Sequence, residues 1–112
     1  MAERVVDKAL KIIKSRIEDP KFSIDALCSE MNMSRTKFYN KLKSVTNKNI
    51  SEIIREEKLK RAAELLATGH LNVYEASEKL GFNDIKHFRE LFKNRFGVTP
   101  REFVAKLKER EN

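Results

Sequence analysis

One cysteine, Cys28, is all the thiol chemistry in the 112 residues. A lone thiol forms no internal disulfide, which fits a reducing cytoplasm and excludes the small disulfide-stapled domains. No apolar run approaches the roughly 20 residues that cross a bilayer, and an amino terminus carrying Glu3, Arg4, Asp7 and Lys8 lacks the pattern of a secretory leader. The chain therefore reads as cytoplasmic, with no membrane contact. His70 and His87 are the only histidines, and neither has a partner at metal-ligand spacing. No nucleophile stands by a base, no glycine loop suits a phosphate, and no carboxylates pair for acid–base work. Catalytic, metal and cofactor residues are thus all expected to be absent, and an enzyme is excluded.

What is present is charge and repetition. The net charge of +7 and pI near 9.6 suit a polyanionic partner, and the 40% apolar content is enough for a core. Residues 1 to 49 hold 11 Lys+Arg against 6 acids, whereas residues 50 to 112 hold 13 against 11. Within residues 34 to 48, Arg35, Lys37, Lys41, Lys43 and Lys48 meet no acid in sequence. That segment is expected to dominate the electrostatic attraction.

The chain also says nearly the same thing twice. Ile24, Leu27, Met31 and Met33 recur as Val73, Ala76, Leu80 and Phe82 at an offset of 49. Phe38, Leu42, Asn47 and Ile53 then recur as Phe88, Phe92, Gly97 and Phe103 at an offset of 50. Each copy reads as a short helix, a tight turn and a second helix.

Punctuation places the elements. Val6, Leu10, Ile13 and Ile17 define a first helix over 4–17, stopped by Asp19-Pro20. Ser23 and Ser34 are N-caps for helices starting at 24 and near 35, with Asn32 in the turn between them. Asn49-Ile-Ser-Glu52, Asn72-Val-Tyr-Glu75 and Thr99-Pro-Arg-Glu102 have the form of capping boxes. They open helices over 50–67, 73–80 and 100–108, and a further helix spans 85–95 after an Asn83 or Asp84 cap. Gly69 ends the long helix, and a frayed Glu-Arg-Glu-Asn tail is expected after Lys108.

The fold expected is all-α, with seven helices and two helix-turn-helix units joined by a long linker helix. One domain covers 1–112, divided into a first unit (1–49), the linker (50–67) and a second unit (68–112). No Gly, Ser or Pro tether separates the copies.

At about 100° per residue, Phe38, Leu42 and Val45 share one face of the third helix, and Thr36, Tyr39, Asn40 and Lys43 lie within about 60° of the opposite direction. Lys86, Arg89, Glu90 and Lys93 take the same angles in the second copy. One solvated face needs no explanation, but two that recur in register with the same turn and cap point to two reading heads for duplex DNA. Phe38, Phe88, Phe92, Phe96 and Phe103 stand at apolar-stripe positions and read as core rather than as stacking platforms for bases. Cys28 reads as a buried structural thiol, His70 as part of an exposed turn, and His87 as surface or a phosphate contact.

Lys58-Leu-Lys-Arg-Ala-Ala-Glu-Leu-Leu66, then Val73 to Gly81-Phe82, then Phe88-Arg-Glu-Leu-Phe-Lys-Asn-Arg-Phe-Gly-Val-Thr-Pro100, closely resembles the signature of AraC/XylS-type transcription regulators. The resemblance covers about residues 5 to 105. It implies a seven-helix DNA-binding domain with two recognition helices in successive major grooves, their contacts falling on Thr36, Tyr39 and Asn40 and on Lys86, Arg89 and Glu90. It also implies a covalently attached sensor or receiver portion, because such domains sit at the carboxyl end of larger proteins. Val6 to Leu27 looks most like the effector ends of two-component regulators, hybrid sensor kinases included. Three positions depart from the pattern: Asn32 stands where glycine is common, and Asn47 and Ile50 stand where the second copy has Gly97 and Pro100. Asparagine tolerates the left-handed backbone, so both turns are expected to survive.

The chemistry assigns roles on that face. Arg35, Lys43 and Lys93, with Lys41 or Lys37, would neutralise phosphates; Asn40 would pair with adenine and Arg89 with guanine. Thr36 or Tyr39 would meet a thymine methyl or a phosphate, and Lys86 suits either role. Glu90 either accepts from cytosine or pairs with Lys86 one turn earlier. The alternative function is a helical protein-interaction module docking through the exposed parts of residues 50 to 67.

Overall fold

The computed structural model describes residues 2–111, with side chains described for residues 4–110. Among them are seven helices and no strand: α1 (Ala2–Arg16), α2 (Ile24–Met31), α3 (Arg35–Thr46), α4 (Ile50–Ala67), α5 (Val73–Lys79), α6 (Ile85–Phe96) and α7 (Pro100–Glu111). Helix α7 runs past the expected stop at Lys108, since nothing in Lys-Glu-Arg-Glu breaks a helix and all four residues are good helix formers. Asn112, the end of the expected tail, lies outside the described residues.

The chain forms two compact units, Met1–Glu57 and Lys58–Asn112, and the boundary falls inside α4. Helix α4 has no single apolar stripe. Ile50, Ile53 and Glu57 are buried at helical spacing, as are Leu59, Ala62 and Leu66, but the step from 57 to 59 breaks the register. The first set belongs to the first unit and the second set to the second.

In the first unit, α1 packs on α2 and α3. Ala9, Ile13, Leu27 and Phe38, each no more than 1% exposed, are the most deeply buried residues of these three helices. Arg16 of α1 and Glu30 of α2 form an ion pair at the rim. Cys28 is buried, and burial pushes its thiol pKa up, with Arg35 opposing the shift. The equivalent position in the second unit is Ser77, also buried, whose hydroxyl donates to the Tyr74 carbonyl at 2.8 Å. One slot accepting either a thiol or a hydroxyl is a packing position.

In the second unit, α6 packs on α5 and α7. Phe92 is fully buried, with its ring 5.8 Å from Phe88, 4.6 Å from Phe96 and 5.6 Å from Phe103. Phe96 and Phe103 are themselves only half-buried and form the outer wall of this aromatic cluster. Val45, expected on the inner stripe of α3, is 41% exposed. It lies one turn beyond Leu42, at the helix end, and its counterpart in the second copy is the exposed Arg95.

The predicted caps form. Asn72 and Glu75 make a reciprocal box at 2.8 and 2.9 Å, and Thr99 and Glu102 make another at 3.1 and 3.0 Å. At Asn49 only half the box forms: the side chain accepts from Glu52 N–H at 2.9 Å, while the Glu52 carboxylate takes the Asn49 amide at 2.8 Å instead of the backbone.

Two consequences are measurable. Phe92→Ala removes the centre of the aromatic cluster and should cost about 3–5 kcal/mol in denaturant unfolding, a large part of a small domain's stability. The Glu102 carboxyl is held below the ordinary glutamate range, first by the Thr99 N–H it accepts from, then by the Thr99 side chain, Lys93 and Lys106. A depressed folded pKa gives stability that is present above the unfolded value, near 4.3, and is lost as pH falls through the folded value. Glu102→Gln should therefore melt below the unmodified chain near pH 7, and the two thermal midpoints should converge as pH falls below the folded value.

Candidate nucleic-acid interface

The repeat is reproduced at the level of single hydrogen bonds. Met33 N–H donates to the Cys28 carbonyl at 3.1 Å, and Phe82 N–H, 49 residues on, donates to the Ser77 carbonyl at 2.9 Å. Between them sit the left-handed residues, Asn32 at φ 57° and Gly81 at φ 81°. The second helices end alike: Asn47 N–H donates to Lys43 O at 3.1 Å and Gly97 N–H to Lys93 O at 2.8 Å, both in left-handed conformations. Asparagine holds the positions that glycine holds in the other copy, so both asparagine turns survive as expected.

Each turn delivers a capped helix whose inner stripe is locked. Ser34 Oγ accepts from Lys37 N–H at 3.2 Å, and Asp84, rather than Asn83, caps α6 by accepting from Lys86 and His87 N–H at 3.0 and 3.4 Å. Phe38 and Leu42 are buried beneath α3, and Phe88 and Phe92 beneath α6. The opposite faces are consequently fixed outward. Arg35, Thr36, Tyr39, Asn40 and Lys43 are all exposed on α3, as are Lys86, Arg89, Glu90 and Lys93 on α6. Each predicted set is thus gathered on one helix surface. His87 is exposed next to the α6 set, and His70 is exposed in the turn after α4.

The local electrostatics refine the sequence picture. The Lys43 ammonium lies 5.6 Å from the centre of the Tyr39 ring, a cation–π contact one helical turn apart. Two cations of the acid-free segment are partnered from outside it, Arg35 with Asp25 of α2 at 3.8 Å and Lys48 with Glu56 of α4 at 3.0 Å. The charge excess is also not confined to the first half, since Met1–Glu57 holds 12 Lys+Arg against 9 acids and Lys58–Asn112 holds 12 against 8. Among the described residues no ion pair joins Lys86 to Glu90.

A groove of about 300 Å³ runs beside the outward face of α3, lined by Ile24, Arg35, Phe38, Tyr39, Asn49, Ile50 and Ser51. Asn49 and Ser51 bring further donors to that edge, and no sequence signal beyond the cap marked them. Asp25 was likewise missed, because no spacing rule links residues ten apart across a turn. Chemically the two faces offer amide, hydroxyl, guanidinium and ammonium donors with a single carboxylate, an equipment for phosphates and base edges. Among the described residues no group of His, Cys, Asp or Glu could hold a metal ion, and no helix is long and apolar enough to cross a membrane.

Comparison with known proteins agrees with this geometry. The family described as a helix-turn-helix domain matches residues 27–106. Histidine kinase P4 of Formosa agariphila is 36% identical over 107 residues, covering 96% of the chain and 8% of that protein. The Msm operon regulatory protein of Streptococcus mutans is 33% identical over 102 residues, covering 91% of the chain and 36% of that protein. The chain thus spans well under half the length of these curated relatives. An AraC-type transcriptional regulator structure from Chromobacterium violaceum superposes with a TM-score of 0.86 at 26% identity, covering 94% of this chain and 93% of that one. The family is one of DNA-binding transcription regulators and not of enzymes. With its duplicated turns, its seven helices and these relatives in agreement, the chain belongs to the AraC/XylS family of helix-turn-helix transcription regulators.

Proposed function

We propose that this chain binds duplex DNA sequence-specifically, as the DNA-binding part of a longer bacterial transcription regulator, with α3 and α6 as recognition helices in successive major grooves. The observation that carries the reading is the duplication: two capped helices, delivered by equivalent left-handed turns, present equivalent exposed polar faces. Independent solvated surfaces have no reason to keep that register. The rest of the protein is a covalently attached sensor or receiver portion, and the site of action is the cytoplasm. Supporting this are the small share of its relatives that the chain spans and the kinase named among them.

Within each head, affinity and reading separate. Arg35, Lys43 and Lys93, with Lys37 or Lys41, neutralise phosphates and fix register. Asn40 is suited to a bidentate pair with adenine and Arg89 with guanine, while Thr36 and Tyr39 meet a thymine methyl or a phosphate. Lys86 serves either purpose.

Selection of bound sites from a random duplex library, followed by titration across salt, tests the whole reading. Two preferred blocks about one helical turn apart and a steep salt dependence are expected. Weak binding without base preference would favour a helical protein-interaction module instead. On the selected site, Arg89→Ala should cost about 1–3 kcal/mol and flatten preference in one block only. Lys43→Ala should weaken all sequences alike and lower the salt slope by about one. Uniform loss in both variants would overturn the division between reading and positioning.

Glu90 carries a sharper expectation. It is exposed and unpaired with Lys86 on a face meant for a polyanion, an unfavourable placement unless the carboxylate accepts from a base, and cytosine N4 is the suitable donor in the major groove. Glu90→Gln should change the preferred base at one position of the selected motif. An unchanged motif would assign the residue to the solvated surface.

A further inference from the structure

The pair between Asp25 and Arg35 bridges the two helices of the first helix-turn-helix, with Oδ1 and Nη1 3.8 Å apart and both side chains mostly in water, 83% and 66% exposed. It is not what holds those helices together. Leu27, Met31 and Phe38 are buried at that junction, and the turn has its own backbone hydrogen bonds. A loose, solvated ion pair shifts an equilibrium by a factor of about two to five at most.

Nor does it belong to the repeated design. In the second copy Asp25 becomes Tyr74, and Arg35, the residue after the Ser34 cap, becomes Ile85, the residue after the Asp84 cap. The turn, the caps and the buried phenylalanine recur, whereas this pair occurs in one copy only.

Its position gives it a consequence. Arg35 begins α3, lines the groove shared with Tyr39, Asn49 and Ser51, and belongs to the face assigned to phosphate contact. A guanidinium already facing a carboxylate must exchange that partner for a phosphate, and Asp25 is then left as an uncompensated acid beside a polyanion. Resting on the DNA-binding reading, we infer that Asp25 is an affinity-limiting residue: it competes with the DNA backbone for Arg35 and lowers binding to every duplex alike, without reading sequence.

The test is a four-protein cycle on the full 112-residue chain: unmodified, Asp25→Asn, Arg35→Ala and the double variant. Each is titrated with the selected duplex and an unrelated duplex at several salt concentrations. Asp25→Asn is nearly isosteric at an exposed position, and circular dichroism verifies that all four proteins are folded. The single Asp25→Asn change should tighten binding about two- to five-fold on both duplexes and steepen the salt slope by up to about one. In the Arg35→Ala background the same change should tighten binding clearly less, because only the repulsion between Asp25 and the phosphates is then relieved. Equal tightening in both backgrounds would mean a general charge effect and overturn the competition. Unchanged or weaker binding would overturn the inference and assign the pair to stapling the helices. If the unmodified chain shows no salt-dependent duplex binding, the DNA-binding reading fails first and takes this inference with it, an outcome distinct from the other two.

Discussion

The structure depends on a single backbone constraint applied twice: a residue in the left-handed conformation between two helices, locked by the next N–H reaching back five residues. That hydrogen bond closes the first helix and sets the direction in which the chain leaves it. Once the direction is set, the cap at Ser34 or Asp84 starts the second helix within three residues, and the phenylalanine four residues beyond the cap falls into the core. With Phe38 and Phe88 at the centre of each inner stripe, the residues before and after them, about 100° to either side, are turned out and exposed. The outward display of Tyr39 and Arg89 is thus a consequence of the turn, reached through packing rather than through any preference of those side chains for water.

Local signals in the sequence were legible because they act over three or four residues. Caps, the proline stop and the glycine or asparagine turns give helix starts that match the structure to the residue at 24, 50, 73, 85 and 100. Features decided by contacts between elements were not. The burial of α4 changes register between Glu57 and Leu59, and a helix serving two cores shows no stripe to a periodicity reading. Val45 has the right angle for the core but nothing above it, a fact about neighbours that a helical wheel omits. Lys48 and Arg35 look free in an acid-free segment, yet Glu56 and Asp25 approach from other helices. For Val45 the second copy held the correction, since a position carrying arginine in one repeat is a poor candidate for the core in the other.

The same comparison shows what the duplication preserved and what it released. Backbone and core requirements recur: left-handed turn, side-chain cap, buried phenylalanine, and a small buried residue at Cys28 or Ser77. The exposed residues share position but not identity, with Thr36, Tyr39 and Asn40 against Lys86, Arg89 and Glu90. Packing therefore constrains where a side chain points and leaves its chemistry free to diverge, as two heads that meet different bases require.

That freedom has an electrostatic side. The outward face of α3 contains no acid, so unopposed it would attract any duplex, and attraction without reading adds affinity for wrong sites as readily as for the right one. The α6 face contains its own acid in Glu90. Beside α3 a carboxylate comes from the neighbouring helix, at Asp25, where it faces Arg35 from off the outward face of α3. The two heads thus reach a moderated charge by different routes, one through a residue on the reading face and the other through a residue behind it. The consequence for recognition is unequal: an acid on the face can discriminate among bases, whereas an acid behind the face can only set how tightly the whole surface is held.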